Sequence, residues 1–271
     1  MSMSTKRFGF IGCGNMGGAL ATAVAKAVGG NEILLSDPDT EKAKVLSEKI
    51  GAKVSDNQSI AKCAKYIFLG VKPQMMQQVL TPLAPILKER QDRFILVTMA
   101  AGLKIARFNE ILGAKLPIIR IMPNTPVAVG QGMILYATCP AITEDEVKEF
   151  ESALSFSGSM DRIKEELIDA GSVISGCGPA FVYTFAESLQ KAGVSCGLSE
   201  DKALLYAAQT LKGAAELLLT SGETADALRV KVCSPKGSTI EGVEVLLNSD
   251  FEKIVDETVK ASFKRTKELG Q

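Results

Sequence analysis

Three glycines near the start of the chain have the spacing of a phosphate-binding turn. Gly12, Gly14 and Gly17 stand between an apolar stretch at residues 7–11, typical of a strand, and an alanine-rich stretch typical of a helix. In such a turn the first glycine permits a tight bend, the second lets backbone approach a phosphate, and the third lets helix pack on strand. Backbone N–H groups and the positive end of the helix dipole then meet at one point. A glycine-rich turn without a ligand is the alternative, but the flanking strand and helix favour a dinucleotide site.

A carboxylate follows where the second strand is predicted to end. Asp37 lies twenty residues after the last of these glycines. At that position an acidic side chain accepts both ribose hydroxyls of NAD and repels the 2′-phosphate of NADP. The alternative is a helix cap, a role open to Ser36, Asp37 and Asp39 alike. Both interpretations stay open, because Lys42 or Lys44 would offset a phosphate.

Two further segments end predicted strands at the edge where ligands of open α/β sheets bind. They read Gly70-Val-Lys-Pro73 and Thr98-Met-Ala-Ala-Gly102. Their position favours contacts with a cofactor, although proline and glycine also serve simply to shape such loops. In the next loop, Asn124 either faces the nicotinamide or caps the turn between two prolines. The predicted contacts in the first two loops are Val71, Lys72, Pro73, Ala100, Ala101 and Gly102.

A second anion-binding turn is predicted near the end of the chain, at residues 234–239. Ser234 and Pro235 suit the cap and first position of a helix. Ser238 and Thr239 add hydroxyl and N–H donors at its opening, which makes a site for a carboxylate rather than a pyrophosphate. An ordinary capped helix start is the alternative, and it explains Ser234 and Pro235 but not the Gly-Ser-Thr that follows.

The composition excludes several kinds of chemistry. The 271 residues include 31 Lys and Arg, 31 Asp and Glu, and no histidine. Balanced charge gives no reason to expect nucleic acid or an anionic membrane as a partner. Without histidine, a Ser-His-Asp triad, a His-ligated zinc and a histidine general acid are unavailable, and no metal site is predicted. Proton transfer must therefore use a hydroxyl, a lysine, a carboxylate, water or the substrate.

The cysteines and apolar runs bear on location. The six cysteines, at positions 13, 63, 139, 177, 196 and 233, form no Cys-x-x-Cys pair, and residues 1–7 have no apolar core of a secretory signal. Residues 94–103 are among the longest apolar runs and are too short to span a membrane. We therefore predict a cytoplasmic protein whose thiols are reduced and mostly buried.

Apolar and amphipathic stretches alternate over about the first 160 residues, which predicts a parallel sheet covered by helices on both faces. Residues 145–154 add a helix, and residues 158–163 an edge strand or a linker. Strands are predicted at 7–11, 32–36, 66–71, 94–98, 117–121 and 133–137, and helices near 16–28, 40–50, 74–87 and 104–112.

From residue 165 to 267 the pattern indicates helices only. Residues 203–219 are apolar on most of the helix circumference, so this helix must be buried on several sides. About 100 residues of helix cannot easily cover it alone, which favours a partner subunit. A central helix in a compact monomeric bundle is the alternative.

At residues 234–239 the chain closely resembles the pyrroline-5-carboxylate reductase family, whose signature is Ser-Pro-x-Gly-x-Thr. The resemblance covers the whole chain, and its other motifs occur in the family's order. They are Phe10-Ile-Gly-Cys-Gly-Asn-Met-Gly17, Val71-Lys-Pro73, Ala100-Ala-Gly102, Met122-Pro-Asn-Thr-Pro126, Asp169-Ala170 and Ser175-Gly-Cys-Gly-Pro-Ala180. The resemblance implies an α/β protein in two domains. An N-terminal Rossmann-type doubly wound sheet (residues 1–163) precedes an all-α dimerisation domain (residues 164–271) that intertwines with its twofold mate.

The resemblance also implies an activity, the reduction of 1-pyrroline-5-carboxylate to L-proline by hydride from NADPH or NADH. Homodimers of this family commonly assemble into larger rings, such as a decamer. Glu165, Ser238 and Thr239 resemble substrate contacts, and Thr239 relays a proton to the imine nitrogen unless the substrate arrives as an iminium ion. Cofactor contacts are implied for Ile11, Gly12, Cys13, Gly14, Asn15, Met16, Asp37, Asp39, Asn57, Val71, Lys72, Ala101 and Lys231.

Two residues depart from the family pattern, and two other protein classes compete with it. Asp37 replaces a small polar or basic residue of NADPH-preferring members, so the coenzyme preference leans slightly to NADH; Lys231 stands where others carry Asn. A β-hydroxyacid dehydrogenase shares the glycine turn but needs a lysine that residues 171–179 lack. A non-catalytic NAD(P) sensor, or a purely structural helical protein, leaves the turn at 234–239 unexplained.

Overall fold

The computed structural model describes residues 6–269, and its first part is built on an eight-stranded sheet. The strands lie side by side in the order β3-β2-β1-β4-β5-β6-β7-β8. Every neighbouring pair is parallel except β6 and β7. Their bounds are β1 (Lys6–Ile11), β2 (Ile33–Ser36), β3 (Lys53–Val54), β4 (Ala64–Leu69), β5 (Ile95–Thr98), β6 (Ile118–Met122), β7 (Gly132–Thr138) and β8 (Gly158–Arg162).

The prediction of a parallel sheet is wrong at β7, which runs antiparallel to β6. Residues 123–131 connect the two strands through one short 3₁₀ helix, Thr125–Val129. A parallel pair needs a longer crossover, usually with an α-helix, whereas an antiparallel pair can be joined by a short loop. Residues 158–162 form the edge strand β8, which is parallel to β7.

Helices cover both faces of the sheet, so the doubly wound arrangement is confirmed. One buried layer includes Phe8, Phe10 and Phe150, and the other includes Ile11 and Phe108. Alternate residues of β1 thus serve opposite faces, as expected of a strand that is buried on both sides. The helices are α1 (Asn15–Val28), α2 (Thr40–Ile50), α3 (Asn57–Cys63), α4 (Met76–Leu80), α5 (Ala84–Glu89), α6 (Ile105–Leu112) and α7 (Glu144–Ala153).

Two local features escaped the sequence patterns. The strand β3 and the helix α3 are too short to show a periodicity, although Asp56 caps α3 through the N–H of Ser59. The helix predicted near residues 74–87 is instead a 3₁₀ turn, Pro73–Met75, followed by α4 and α5. Pro82 lies between the last two, where a proline lacks the N–H that a continuous helix requires.

The chain after β8 is helical, and no strand occurs there among the described residues. By compactness the chain divides into two units: residues up to Cys177 together with those from Phe263, and Gly178–Ser262. The boundary predicted at residues 163 and 164 stays a prediction. The helices are α8 (Glu165–Ser175), α9 (Gly178–Ser195), α10 (Glu200–Thr220), α11 (Ala225–Val232), α12 (Ser238–Leu247) and α13 (Phe251–Leu269).

Much of the apolar surface of α10 is exposed in the single chain. Ala203 and Ala207 are its buried residues, while Leu205 is 61% exposed and Tyr206 52%. The monomeric-bundle alternative would bury these large side chains, and the structure contradicts it. Such a surface needs another protein surface to cover it.

All six cysteines are free. The prediction that most are buried is wrong, because only Cys13 and Cys63 are; Cys196 is exposed and the other three are half-buried. Cys13 and Cys63 belong to the buried clusters that pack against the sheet, whereas the later cysteines lie in loops and are not among the buried residues of those clusters. Within residues 6–269, every helix is too short or too polar to cross a bilayer.

Candidate active site

The glycine turn (residues 12–17) joins β1 to α1, and its three glycines meet different surroundings. Gly12 has φ 99°, and a Cβ there would lie 2.6 Å from the carbonyl oxygen of Gly70. A Cβ on Gly17 would lie 2.1 Å from the carbonyl oxygen of Gly12. A Cβ on Gly14 would meet nothing within 4 Å. The first and third glycines therefore serve packing, while the second faces open space that a phosphate can enter.

A cavity of about 730 Å³ opens beside this turn. It extends past the ends of β1, β2 and β4, at the edge where such sheets bind ligands. Its dimensions and its exposed backbone suit a dinucleotide, so these residues fit the cofactor. The predicted contacts that line it are Ile11, Gly12, Gly14, Asp37, Asn57, Val71 and Lys72.

The carboxylate of Asp37 is tied to the glycine turn. Its Oδ2 accepts from the backbone N–H of Cys13 at 2.7 Å, and its Oδ1 accepts from the N–H of Asp39 at 2.9 Å. Asp39, which is exposed, is the residue that caps α2, through the N–H of Lys42. The alternative of Asp37 as a helix cap is therefore wrong. Asp37 reaches the cavity from a fixed position.

The two lysines considered for a 2′-phosphate are paired with carboxylates. Lys42 Nζ lies 3.3 Å from Asp39 Oδ2, and Lys44 Nζ lies 3.6 Å from Glu41 Oε2. Both pairs are exposed on α2, where such contacts are weak. The hydrogen bond from Lys42 nevertheless lowers the pKa of the Asp39 carboxyl. Each of the two lysines therefore has an acidic neighbour at the start of α2.

Cys13 contributes backbone rather than thiol chemistry. Burial raises the pKa of its thiol to about 12, and the negative charge of Asp37 adds to this effect. Its Sγ donates to the carbonyl oxygen of Ser36 at 3.6 Å. The thiol is therefore protonated at neutral pH. Next in the turn, Asn15 is exposed at the start of α1, and Met16 packs against the core.

The loops after β2, β4 and β5 are shaped by local hydrogen bonds. Asn57 Oδ1 accepts from Ser36 Oγ at 2.7 Å, which holds this side chain at the cavity wall. Lys72 precedes the turn that opens with Pro73, and its carbonyl accepts from Met75 at 2.9 Å. After β5, Ala100 is buried, Ala101 half-buried, and Gly102 has φ 76° in the turn.

Asn124 is buried, and both ends of its amide are occupied. Oδ1 accepts from the N–H of Met133 at 2.9 Å, and Nδ2 donates to the carbonyl oxygen of Ser175 at 2.9 Å. The side chain does not cap the following 3₁₀ helix, so that alternative is wrong. It ties β7 and the end of α8 to the loop after β6. Contact with the nicotinamide stays a prediction.

The turn at residues 234–239 lies in the second unit, and its helix begins later than predicted. The N–H of Gly237 donates to the carbonyl oxygen of Ser234 at 2.9 Å, which closes a β-turn. Lys236 occupies the left-handed region at φ 60°, a conformation incompatible with a helix. Ser234 and Pro235 therefore precede the helix, which is α12 with Gly237 as its cap. Ser238 and Thr239 form its exposed first turn, with their N–H groups unpaired within the helix.

Lys231 lies on α11 in the same unit. Its Nζ contacts the carboxylate of Glu223, and both side chains have access to solvent. The charge at this position is thus balanced by a carboxylate of the chain itself. A role in cofactor binding stays a prediction for Lys231.

The sequence patterns missed a buried cation, Arg120 on β6. It is 0% exposed, and its Nη2 donates to Asp169 Oδ1 at 2.6 Å. Its Nη1 lies 3.6 Å from Oε1 of Glu165, a predicted substrate contact. The signal was available as a single charge inside the apolar run Ile-Ile-Arg-Ile-Met.

Among the described residues, no cluster of three His, Cys, Asp or Glu could hold a metal ion.

Two family models match the chain. The one described as pyrroline-5-carboxylate reductase dimerisation matches residues 165–269. The one described as NADP oxidoreductase, coenzyme F420-dependent, matches residues 7–102. The first covers the helical part and the second covers the part with the glycine turn.

The relatives that match this chain along their full length are pyrroline-5-carboxylate reductases. The pyrroline-5-carboxylate reductase of Aquifex aeolicus is 35% identical over 98% of each chain. That of Escherichia coli is 32% identical over 98% of this chain and 99% of its own. Among solved structures, the Plasmodium falciparum pyrroline carboxylate reductase with NADP bound has a TM-score of 0.86 at 31% identity, over 100% of both chains. The Coxiella burnetii pyrroline-5-carboxylate reductase has a TM-score of 0.91 at 29% identity, over 99% of this chain and 100% of its own.

The fold and the cavity at the glycine turn define an NAD(P)-dependent oxidoreductase with a helical dimerisation domain. Within that class, the full-length relatives identify the particular kind. The chain belongs to the pyrroline-5-carboxylate reductase family. The family resemblance, the fold class and the class of enzyme predicted from the sequence are confirmed. The match to a dimerisation domain indicates a homo-oligomer. Membership of a reductase family indicates an enzyme with a small-molecule substrate.

Proposed function

We propose that this protein reduces 1-pyrroline-5-carboxylate to L-proline, the final step in the synthesis of that amino acid. The observation that carries this is the full-length identity to pyrroline-5-carboxylate reductases, with the turn at residues 234–239 included. The substrate is a five-membered cyclic imine with one carboxylate, and the product is the saturated ring. Both ligands are small, and the cofactor is NADPH or NADH.

The cofactor is held at the glycine turn. Gly14 lets backbone approach the pyrophosphate, Asp37 and Asn57 stand at the ribose, and Val71 and Lys72 close the cavity. When bound, the cofactor supplies the hydride that adds to the imine carbon. The other proposed cofactor contacts are Ile11, Gly12, Cys13, Asn15, Met16, Gly17, Asp39, Pro73, Ala100, Ala101, Gly102, Asn124 and Lys231.

The carboxylate of the substrate binds at the start of α12. The N–H groups of Ser238 and Thr239 point out of its first turn, where the helix dipole favours an anion. Fixing the ring there contributes several kcal/mol through orientation alone, an effect on the order of that seen in intramolecular reactions. With no histidine in the chain, the Thr239 hydroxyl relays the proton to the ring nitrogen, or the substrate enters as an iminium ion.

The coenzyme preference leans to NADH. Asp37 lines the cavity with a fixed carboxylate, which accepts ribose hydroxyls and repels a 2′-phosphate. The pairing of Lys42 and Lys44 with acidic neighbours supports this proposal.

The assembly is a dimer that builds a larger ring such as a decamer, with the exposed apolar side chains of α10 in its interfaces. A cytoplasmic location accords with six free cysteines.

One assay tests the function together with the role of Thr239. Purified protein is mixed with pyrroline-5-carboxylate, and oxidation of NADH and of NADPH is followed side by side. The substitution Thr239→Ala should lower kcat/KM about 10²–10³-fold while NAD(P)H affinity stays near wild type, as for loss of one donor to a developing charge. The matched control is Thr220→Ala, which removes an exposed hydroxyl that bonds only its own helix.

The outcomes separate the proposals. A wild-type protein that binds NAD(P)H but oxidises none with pyrroline-5-carboxylate would be a nucleotide sensor. Near-full activity of the Thr239 variant would remove the role of this hydroxyl and leave the iminium route.

A further inference from the structure

A buried guanidinium stands next to the loop that follows β5. Arg120 pairs in register with Thr98, the last residue of β5, so it lies level with the start of the loop at residues 98–102. It is fully buried, and among the described residues its Nε and Nη1 have no hydrogen-bond partner. An arginine buried with unpaired N–H groups is costly unless it stabilises something specific.

The carboxylate of Glu165 is shared between this arginine and a helix. Its Oε1 accepts from the N–H of Ile105 at 2.7 Å and so caps α6, where Lys104 gives no side-chain cap. The same oxygen faces Arg120 Nη1 at 3.6 Å. In the part of the chain that the structure describes, Oε2 makes no hydrogen bond, and the side chain is one-quarter exposed. The fold thus uses one oxygen of Glu165 and leaves the other accessible.

Charge and donor chemistry limit what this free oxygen binds. Arg120 is in contact with two carboxylates, Glu165 and Asp169, so the cluster has one negative charge in excess. A carboxylate oxygen accepts hydrogen bonds and repels a second carboxylate. The substrate of the proposed function offers one group that suits it, the protonated ring nitrogen. A charge-assisted hydrogen bond of this kind is about twice as strong as a neutral one.

We propose that Arg120 is a positioning residue of the reductase: it holds Glu165 against α6 so that Oε2 receives the protonated ring nitrogen of the substrate. This inference rests on the proposed function. The hydrogen bond from Nη2 to Asp169 fixes the guanidinium. Because the guanidinium is planar and rigid, its Nη1 is then fixed beside Glu165 Oε1. Lysine has a single ammonium group and cannot hold both carboxylates in this geometry.

The test compares Arg120→Lys with Arg90→Lys. Arg90 is a matched control: its side chain is 5% exposed, and it donates to the carbonyl oxygens of Ala61 and Ala64, away from the cluster. Both variants should lower Tm. Only Arg120→Lys should raise KM for pyrroline-5-carboxylate, by about tenfold or more, while the dissociation constant of NAD(P)H changes less than about twofold.

A second measurement isolates the ring nitrogen. L-proline and tetrahydro-2-furoate are compared as inhibitors, because the latter carries the carboxylate on a ring with oxygen in place of nitrogen. Arg120→Lys, and Glu165→Gln as an independent variant, should raise Ki for L-proline by about tenfold without raising Ki for the furoate, whose ring oxygen has no proton to donate to Oε2. Glu165→Gln keeps an oxygen that caps α6, so it serves where the arginine variant fails to fold.

The failures are distinguishable. A wild-type protein without pyrroline-5-carboxylate reduction overturns the proposed function. An active wild type, with both inhibitor constants shifted equally or neither shifted in Arg120→Lys and Glu165→Gln, overturns the positioning role and leaves Arg120 as a stabilising ion pair.

Discussion

At the scale of single residues, Asp37 has a structural role that the sequence did not show, in addition to its position at the predicted ribose site. It stands where an acidic residue selects NADH, and it also holds the N–H groups of Cys13 and Asp39. The second role belongs to the fold of the turn rather than to a cap on α2. Its charge can therefore be removed by a substitution that keeps one of these two hydrogen bonds.

Asp37→Asn removes the charge and keeps one of the two acceptors. The amide oxygen still accepts from the N–H of Cys13, the bond to the N–H of Asp39 is lost, and the side chain no longer repels a 2′-phosphate. The ratio of kcat/KM for NADPH over NADH should rise about 10–100-fold, the equivalent of roughly 1–3 kcal/mol for one charged hydrogen bond. Asp145→Asn removes the same charge at a fully exposed position on α7 and should leave the ratio unchanged. A wild-type enzyme that strongly prefers NADPH would contradict the role of Asp37 and point to Lys42 and Lys44.

The residues that spacing could reveal are those whose function is local. Gly12, Gly14 and Gly17 act within one turn, and their roles follow from the order of strand, glycines and helix. Arg120 and Asn124 act through partners such as Asp169 and Ser175, which lie far away along the chain. No local pattern contains such pairs, because the sheet and α8 must first be assembled.

At the scale of elements, the glycine turn offers a direct comparison of packing with binding. Gly14 has φ −65° and ψ −172°, which alanine adopts without strain, and its Cβ would project into open space. A Cβ on Gly17 would collide with backbone at 2.1 Å. The two positions share one turn and differ only in what surrounds them.

We therefore expect Gly14→Ala and Gly17→Ala to fail in different ways. Gly17→Ala should lose about 1–3 kcal/mol or more of stability, because the neighbouring backbone must move. Gly14→Ala should keep Tm within about 2 °C of wild type and weaken NADH binding about tenfold or more, since its methyl group occupies the phosphate position. Thermal unfolding and fluorescence titration with NADH measure the two effects. Equal loss of Tm in both variants would show that Gly14 serves packing as well.

The elements that sequence patterns predicted well are the long, strongly apolar ones. The wrong predictions have separate physical causes. Pro82 interrupts a helix, the loop before β7 is too short for a crossover, and the β-turn at Ser234 delays the start of α12. Each cause is a constraint of a few residues that overrides a periodicity extending over many.

At the scale of the whole molecule, we propose that the exposed apolar side chains of α10 lie where the subunits of the homo-oligomer meet. The substitution Leu205→Asp puts a charge on a side chain that is 61% exposed in the single chain. We expect a smaller species by light scattering and a lower Tm that depends on protein concentration, because association stabilises by mass action. Val45→Asp, at a 59% exposed apolar position on α2, is the control and should change neither. An unchanged mass for Leu205→Asp would place the interface elsewhere.

The bond from Asp37 to Cys13 also constrains how this enzyme can evolve or be engineered. A lineage that adapts to NADPH by placing a cation at position 37 loses an acceptor that the glycine turn uses. The gain in phosphate binding and the loss in backbone support then arrive in the same mutation. A second substitution that restores an acceptor for this N–H has to come first, so the order of the two mutations decides whether the path is open. Coenzyme preference at this site is thus an epistatic trait.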